Sequence, residues 1–133
     1  MTQIFYVEGI PIPQGSKTAK VVNGRVVMWE SNKKLKAWRD SVTLQVQNNM
    51  LEQYSEFACI KIGLTFEFVR PKSSKRKMPN VKPDLDKLTR AVFDGLTKSG
   101  IYHDDAQVVS LRARKTYVTA GGGCSIMIER LDV

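Results

Sequence analysis

Residues 60 to 68 alternate without a break: Ile60, Ile62, Leu64, Phe66 and Phe68 fall on one side, and Lys61, Gly63, Thr65 and Glu67 on the other. A period of two puts successive side chains on opposite faces, so this stretch must be a strand with one face buried. The chain therefore needs a sheet, and something apolar to cover one side of it.

The cover comes from two helical stripes. Leu35, Trp38, Val42, Val46 and Met50 recur at spacings of three and four, with Ser31 or Asn32 placed to cap the helix start. A second helix is expected over 85–98, with Leu85, Leu88, Val92 and Leu96 inward and Gly100 ending it. Further strands are expected at Gln3 to Val7, on both sides of Asn23-Gly24, at 107–118 and around Ser125 to Glu129. Asn-Gly between apolar runs is a strong type I′ hairpin signal. In the strand at 107–118, Ser110, Arg112, Arg114 and Thr116 form one face, and Val109, Leu111 and Ala113 the other. The order is strands, helix, strand, helix and a closing hairpin. It points to a single α+β domain over 1–133, with a mixed sheet and two main helices packed on one side.

At 133 residues the chain fits one core, and its hydrophobic content of 42% and charged content of 26% are ordinary for a globular protein. Lys and Arg number 21 against 13 Asp and Glu, a formal net charge of +8 that favours nucleic acid or an anionic surface as partner. No apolar run is long enough to span a bilayer and no signal-peptide pattern opens the chain, so a cytoplasmic protein without a membrane partner is expected. Cys59 and Cys124 are then reduced thiols, and with His103 the only histidine a zinc site is nearly excluded. The segment from Arg70 to Lys82 is a basic loop, expected to move until a partner binds it.

Against this basic background stand two acidic pairs, Asp84 with Asp86 and Asp104 with Asp105. Taken alone, Asp84 and Asp86 are an N-cap and a first-turn acid of the second helix, which Pro83 helps to start. If that helix returns the chain to the same region, Asp84, Asp86 and one or both of Asp104 and Asp105 meet, and three or four carboxylates so close would repel without a cation. Oxygen ligands alone suit Mg2+, with Mn2+ as a substitute. A calcium-binding EF-hand does not fit, because Leu88 and Thr89 sit where a ligand and the loop glycine belong. The Walker spacing is absent around Gly15-Ser16-Lys17, so no nucleotide cofactor is expected. A Ser-His-Asp hydrolase built on His103 lacks a nucleophile elbow.

The run from Lys82-Pro83-Asp84-Leu85-Asp86 through Phe93-Asp94-Gly95-Leu96, then Gly100-Ile101 and Asp104-Asp105-Ala106-Gln107-Val108, ending at Lys115, resembles the RusA family of Holliday-junction resolvases. Pro13-Gln14-Gly15-Ser16-Lys17 and the helix at Lys34-Leu35-Lys36-Ala37-Trp38-Arg39 are similar to phage members. The resemblance implies a RusA-like fold and a Mg2+-dependent endodeoxyribonuclease that resolves four-way junctions by paired symmetric nicks. It implies that Asp84, Asp86 and Asp105 are the essential metal-binding carboxylates, with Asp104 and Asp94 as nearby acids. The family usually has Asn and Lys at positions 87 and 90, where this chain has Lys87 and Arg90. Arg does not give up its proton at neutral pH, so Arg90 fits charge stabilisation on a phosphate, and Lys87 is the other candidate helper. An alternative for Arg90 is a surface partner of Asp86 and Asp94 on the helix.

A junction has approximate two-fold symmetry and must be cut twice, so one acidic site per chain implies a homodimer. Lys72, Lys75, Arg76, Lys77 and Lys82 of the loop, the lysines opening the first helix, and Arg112 and Arg114 are candidate phosphate contacts. Any one of them is equally an ordinary solvated charge. Trp29, Tyr102 and Phe93 are aromatics that can stack on unpaired bases, unless Phe93 is core and Trp29 closes its hairpin. Two other functions stay open: a nuclease acting on flaps or forks, and a noncatalytic basic DNA-binding module.

Overall fold

The computed structural model describes residues 1–15, 18–29 and 33–132. In chain order these form β1 (Gln3–Glu8), β2 (Thr18–Val22), β3 (Arg25–Trp29), α1 (Lys33–Asn49), β4 (Ile60–Val69), α2 (Leu85–Ser99), a 3-10 turn (Asp105–Gln107), β5 (Val108–Val118) and β6 (Gly123–Arg130). The expected caps Ser31 and Asn32 lie outside the described residues. Asn23 and Gly24 both have positive φ, 50° and 76°, as a type I′ turn requires. The β2–β3 hairpin they close is a separate two-stranded sheet.

The main sheet has the order β1-β6-β4-β5, with β4 and β5 parallel and the other neighbours antiparallel. Phe5, Val7, Ile62, Leu64, Phe66, Ile126 and Ile128 all bury the same face of it. Leu35, Trp38, Val42 and Val46 of α1, and Leu88, Val92 and Leu96 of α2, complete that core, so both helices pack on one side. The two helices approach closely where Gly95 lies against Val42, and Thr43 Oγ1 donates to the Gly95 carbonyl at 2.8 Å.

Two expectations fail. The last two strands do not form a hairpin, because β4 lies between them. The β4–α2–β5 connection is a parallel crossover that sets β5 on the outer side of β4, leaving only the inner side for β6. The chain crosses the end of β4 on its glycine run. A Cβ at Gly122 would sit a tight 3.1 Å from the Glu67 carbonyl oxygen, and its φ of 110° is one that side chains rarely adopt.

Val109 is also not a core residue. The register shifts at the start of β5, where Ile60 pairs with Val108 and Lys61 with Ser110. This bulge turns Val108 inward and leaves Val109 62% exposed. Leu111 pairs with Ile62 and does lie on the helix side, yet it is 46% exposed because β5 is an edge strand.

Candidate functional site

Strand β4 ends at Val69 and the basic loop then carries the chain to α2. Its Arg70 amide continues the ladder to the Val118 carbonyl at 3.1 Å, and its guanidinium lies over the Tyr117 ring, 5.1 Å from the centroid. Arg70 Nη2 also donates to the Lys77 carbonyl, and Arg76 Nη1 to Asn80 Oδ1 at 2.9 Å. Pro79 is buried. Lys72, Lys75, Arg76, Lys77 and Lys82 all stay exposed.

The loop closes at a cis Lys82-Pro83 bond. Lys115, on the helix side of β5 opposite Phe66, donates to the carbonyls of Val81 at 2.7 Å and Pro83 at 2.9 Å. The next residue, Asp84, is the N-cap of α2, with extended backbone and a carbonyl that accepts the Leu88 amide. Its side chain makes no capping bond and instead pairs with Lys87 Nζ at 3.6 Å. Asp86 is exposed in the first helical turn, with no hydrogen bond or ion pair among the described residues. Both acids thus take the expected positions, Asp84 as N-cap and Asp86 as the first-turn acid, but the Asp84 side chain does not cap.

Arg90 is likewise exposed and has no partner among the described residues. The alternative that it pairs along the helix with Asp86 and Asp94 fails, because Asp94 is held elsewhere. Gln14 Nε2 donates to Asp94 Oδ2 at 2.6 Å, Arg39 Nη1 donates to Gln14 Oε1 at 3.1 Å, and Arg39 lies 3.9 Å from Asp94. The Gln14 amide also donates to the Lys87 carbonyl, which binds the segment after β1 along α2. The sequence reveals no such role for Gln14 and Arg39, because nothing local links them to Asp94, a distant residue of another helix.

The second acidic pair lies at the other end of α2. Helix α2 has 15 residues, about 22 Å of length, and Gly100 ends it in a left-handed conformation. Tyr102 then folds back, its hydroxyl donating to the Phe93 carbonyl at 3.2 Å. Asp104 Oδ1 accepts the Ala106 amide, and Gln107 Oε1 accepts the amides of His103 and Asp104, a reciprocal capping box. Gln107 Nε2 donates to the carbonyls of Ser55 and Ala58, anchoring this corner to the segment before β4. The Asp-x-x-Gln spacing was legible as a cap signal.

The Asp105 carboxyl titrates above the usual carboxylate value, chiefly through partial burial and then through Asp104, with a smaller contribution from Asp94. Asp84 and Asp86 are not among its perturbing neighbours. The expected meeting of Asp84 and Asp86 with one or both of Asp104 and Asp105 does not occur within one chain. No group of three or more Asp, Glu, His or Cys among the described residues is placed to hold a metal ion. The physical reason is the crossover: α2 runs antiparallel to β4 and β5, so its two ends lie at opposite ends of the strands.

Other expected contacts also separate. Arg112 and Arg114 pair with Gly63 and Thr65 on the face of the sheet away from the helices, so they do not border either acidic pair. Tyr102 is 1% exposed and its phenol is pushed up mainly by burial, which removes it as a stacking platform. Phe93 packs against the core, and the Trp29 side chain lies outside the described residues. No helix among the described residues is long and apolar enough to cross a membrane.

The family model described as Endodeoxyribonuclease RusA matches residues 8–129. The chain is 38% identical over 95 residues to the Crossover junction endodeoxyribonuclease RusA of Shigella sonnei (strain Ss046), covering 71% of each protein. It is 37% identical, over the same shares, to the protein of that name from Escherichia coli (strain K12), and 36% identical to that of Enterobacteria phage 82. A match across nearly the whole fold, including both acidic pairs, settles the assignment: this chain belongs to the RusA family of endodeoxyribonucleases.

Proposed function

We propose that this protein cuts four-way DNA junctions by paired nicks and does so as a symmetric homodimer, with Mg2+ (or Mn2+ in its place) as cofactor. The observation that carries the reading is the split of the acids between the two ends of α2, with the basic loop running straight into Asp84. Within one chain no three of the described carboxylates are placed to share a divalent cation. Two copies remove the difficulty when Asp84 and Asp86 of one meet Asp105 of the other. A junction with two equivalent strands to cut then meets two equivalent sites.

In this arrangement the chain's own residues have separable tasks. Lys72, Lys75, Arg76, Lys77 and Lys82 hold phosphates beside the site. Lys87 balances the charge of Asp84 at 3.6 Å. Arg90, one turn beyond Asp86 and without a partner among the described residues, is placed to hold the phosphate whose charge grows during cleavage, and its fixed proton rules out an acid–base role. Asp104 holds the turn that presents Asp105. A bound cation would supply positive charge next to the scissile phosphate.

The test uses synthetic four-way junctions with Mg2+. Asp86→Asn and Asp105→Asn should each bind the junction and fail to cut it. A mixed dimer of the two variants contains one site with both carboxylates intact, so mixing should restore nicking of single strands. Continued inactivity after proven subunit exchange sinks the shared site. If the wild type cuts no branched DNA in Mg2+ or Mn2+, the protein is a noncatalytic binding module. Preferential cleavage of flaps or forks reassigns the substrate.

A further inference from the structure

We infer that a small apolar pocket beside Asp84 takes one unstacked nucleobase of the DNA, next to the phosphate that is cut. The inference rests on the junction-cutting reading above and adds to it a contact with a base.

The pocket lies where the basic loop meets the ends of β4 and β5. Phe68 and Tyr117, paired neighbours on the helix side of the two strands, line it from the sheet. Pro79, Val81 and Pro83 line it from the loop, with Lys115 beside them. Its volume is about 180 Å3, below the roughly 300–1,000 Å3 of sites that enclose drug-sized ligands. That leaves room for one flat ring system. Pro83 is the residue before Asp84, so an occupant sits next to the start of α2.

A second cavity identifies the occupant. It has a volume of about 510 Å3 and shares Pro71 and Tyr117 with the first as common lining. Arg70 and Lys72 make it cationic, with no acid among the described residues that line it. An apolar pocket joined to a cationic one matches the two parts of a nucleotide, a flat base and its phosphate. An apolar side chain of a protein partner would fill the first cavity and leave the cations of the second unanswered. The exposed Lys82 at the rim of the first adds to the same charge.

The walls are held in place before any DNA arrives. Lys115 donates to the Val81 and Pro83 carbonyls, Arg70 Nη2 to the Lys77 carbonyl, and Pro79 is buried. An ammonium group carries three N–H donors. Two are engaged here, and among the described residues the third has no partner, so it remains for an acceptor on the edge of the base. The Tyr117 ring supplies a stacking surface. Taking a base out of a duplex costs its pairing and stacking, a cost that is least where the base is already unpaired. A branch point offers such bases. Capture of one fixes its nucleotide and sets the adjoining phosphate against Asp84.

The experiment pairs a filled pocket with a missing base. Val81 is 43% exposed, so Val81→Trp should occupy the pocket without entering the core. The nick is first mapped with wild-type protein and Mg2+ on an unmodified junction. An abasic nucleotide is then placed at each of the two positions flanking it. Wild-type nicking should fall about tenfold at one of these positions, within the range that base–aromatic stacking spans. Val81→Trp should lose a similar factor on the unmodified junction and nothing more on the abasic one. Tyr117→Leu, which removes the ring and leaves the pocket open, should show the same coupling. A wild type indifferent to both abasic positions overturns the pocket and leaves junction cleavage standing. So do variants whose losses simply add to that of the missing base, which would mean they act through the backbone before Asp84. A wild type that nicks no branched DNA sinks the junction reading and this inference with it.

Discussion

The Lys115 ammonium group donates to the Pro83 carbonyl oxygen at 2.9 Å, so a residue in an edge strand fixes the position of the backbone immediately before Asp84. The same group holds the Val81 carbonyl at 2.7 Å. Lys115→Met keeps the stem and removes both bonds. It should cost about 1–3 kcal/mol, as expected for hydrogen bonds to a charged group, and cut junction nicking by more than the stability loss explains. Thermal melts and nicking rates measured side by side decide it; unchanged values in both would show that the clasp is dispensable.

Arg90 offers the opposite pattern. It is exposed and unpaired among the described residues, so Arg90→Ala should shift stability by less than about 0.5 kcal/mol. Nicking should nonetheless fall by about tenfold or more, the factor that about 1.4 kcal/mol of transition-state stabilisation represents. Arg90→Lys should recover part of it. A destabilised variant with normal nicking would make Arg90 structural.

The two groups of basic residues should separate by salt dependence. Lys75→Ala with Lys77→Ala should lower the slope of log affinity against log salt by about 0.9 for each phosphate that the loop no longer neutralises. Arg112→Ala with Arg114→Ala should leave the slope unchanged, since these residues lie on the sheet face away from the acids. The reverse result would put the DNA on that open face.

Gly95 is where the helices meet. An added Cβ would sit 2.9 Å from Val42 Cγ1 and 3.1 Å from the Arg39 carbonyl oxygen, too close on both sides. Gly95→Ala should therefore destabilise by about 1–3 kcal/mol through overpacking, despite alanine's better helix propensity. Denaturant titration measures it, and a stabilised variant would mean the helices part without cost.

On the open sheet face the Tyr6 hydroxyl donates to Glu67 at 2.7 Å across Gly123, and this bond, helped by burial and the Glu67 charge, pushes the phenol up from 10.0 to about 12. A raised tyrosine favours the folded state below pH 10, and that contribution is lost as pH rises through about 12. Tyr6→Phe should therefore be less stable than wild type at pH 8, with the gap closing between pH 10 and 12. Phenolate absorbance supplies a direct check: the wild-type minus variant difference should titrate near pH 12, and a midpoint near 10 would contradict the bond.

Much of this was legible residue by residue. The alternation of Ile60 to Phe68, the stripe from Leu35 to Val46, Asn23-Gly24 and the start of α2 after Pro83 are local signals, and each became the expected element. Val109 misled because a bulge is set by pairing with β4, which has no signature in β5 itself. The final hairpin misled because neighbours in sequence need not be neighbours in a sheet once a crossover intervenes. Arg39 and Gln14 were invisible because their shared partner, Asp94, is distant in the chain.

The sequence by itself determined which segments are strands and helices, that acids are concentrated in a basic chain, and, through ordered motif spacing, the family. Each follows from side-chain periodicity or local composition, which need no knowledge of where the chain goes next. Only the tertiary structure decided that β4 separates β5 from β6, that Arg112 and Arg114 face away from the helices, and that the acidic pairs lie at opposite ends of α2. These are consequences of strand order and helix direction, set when distant segments pack together, and no window of sequence contains them.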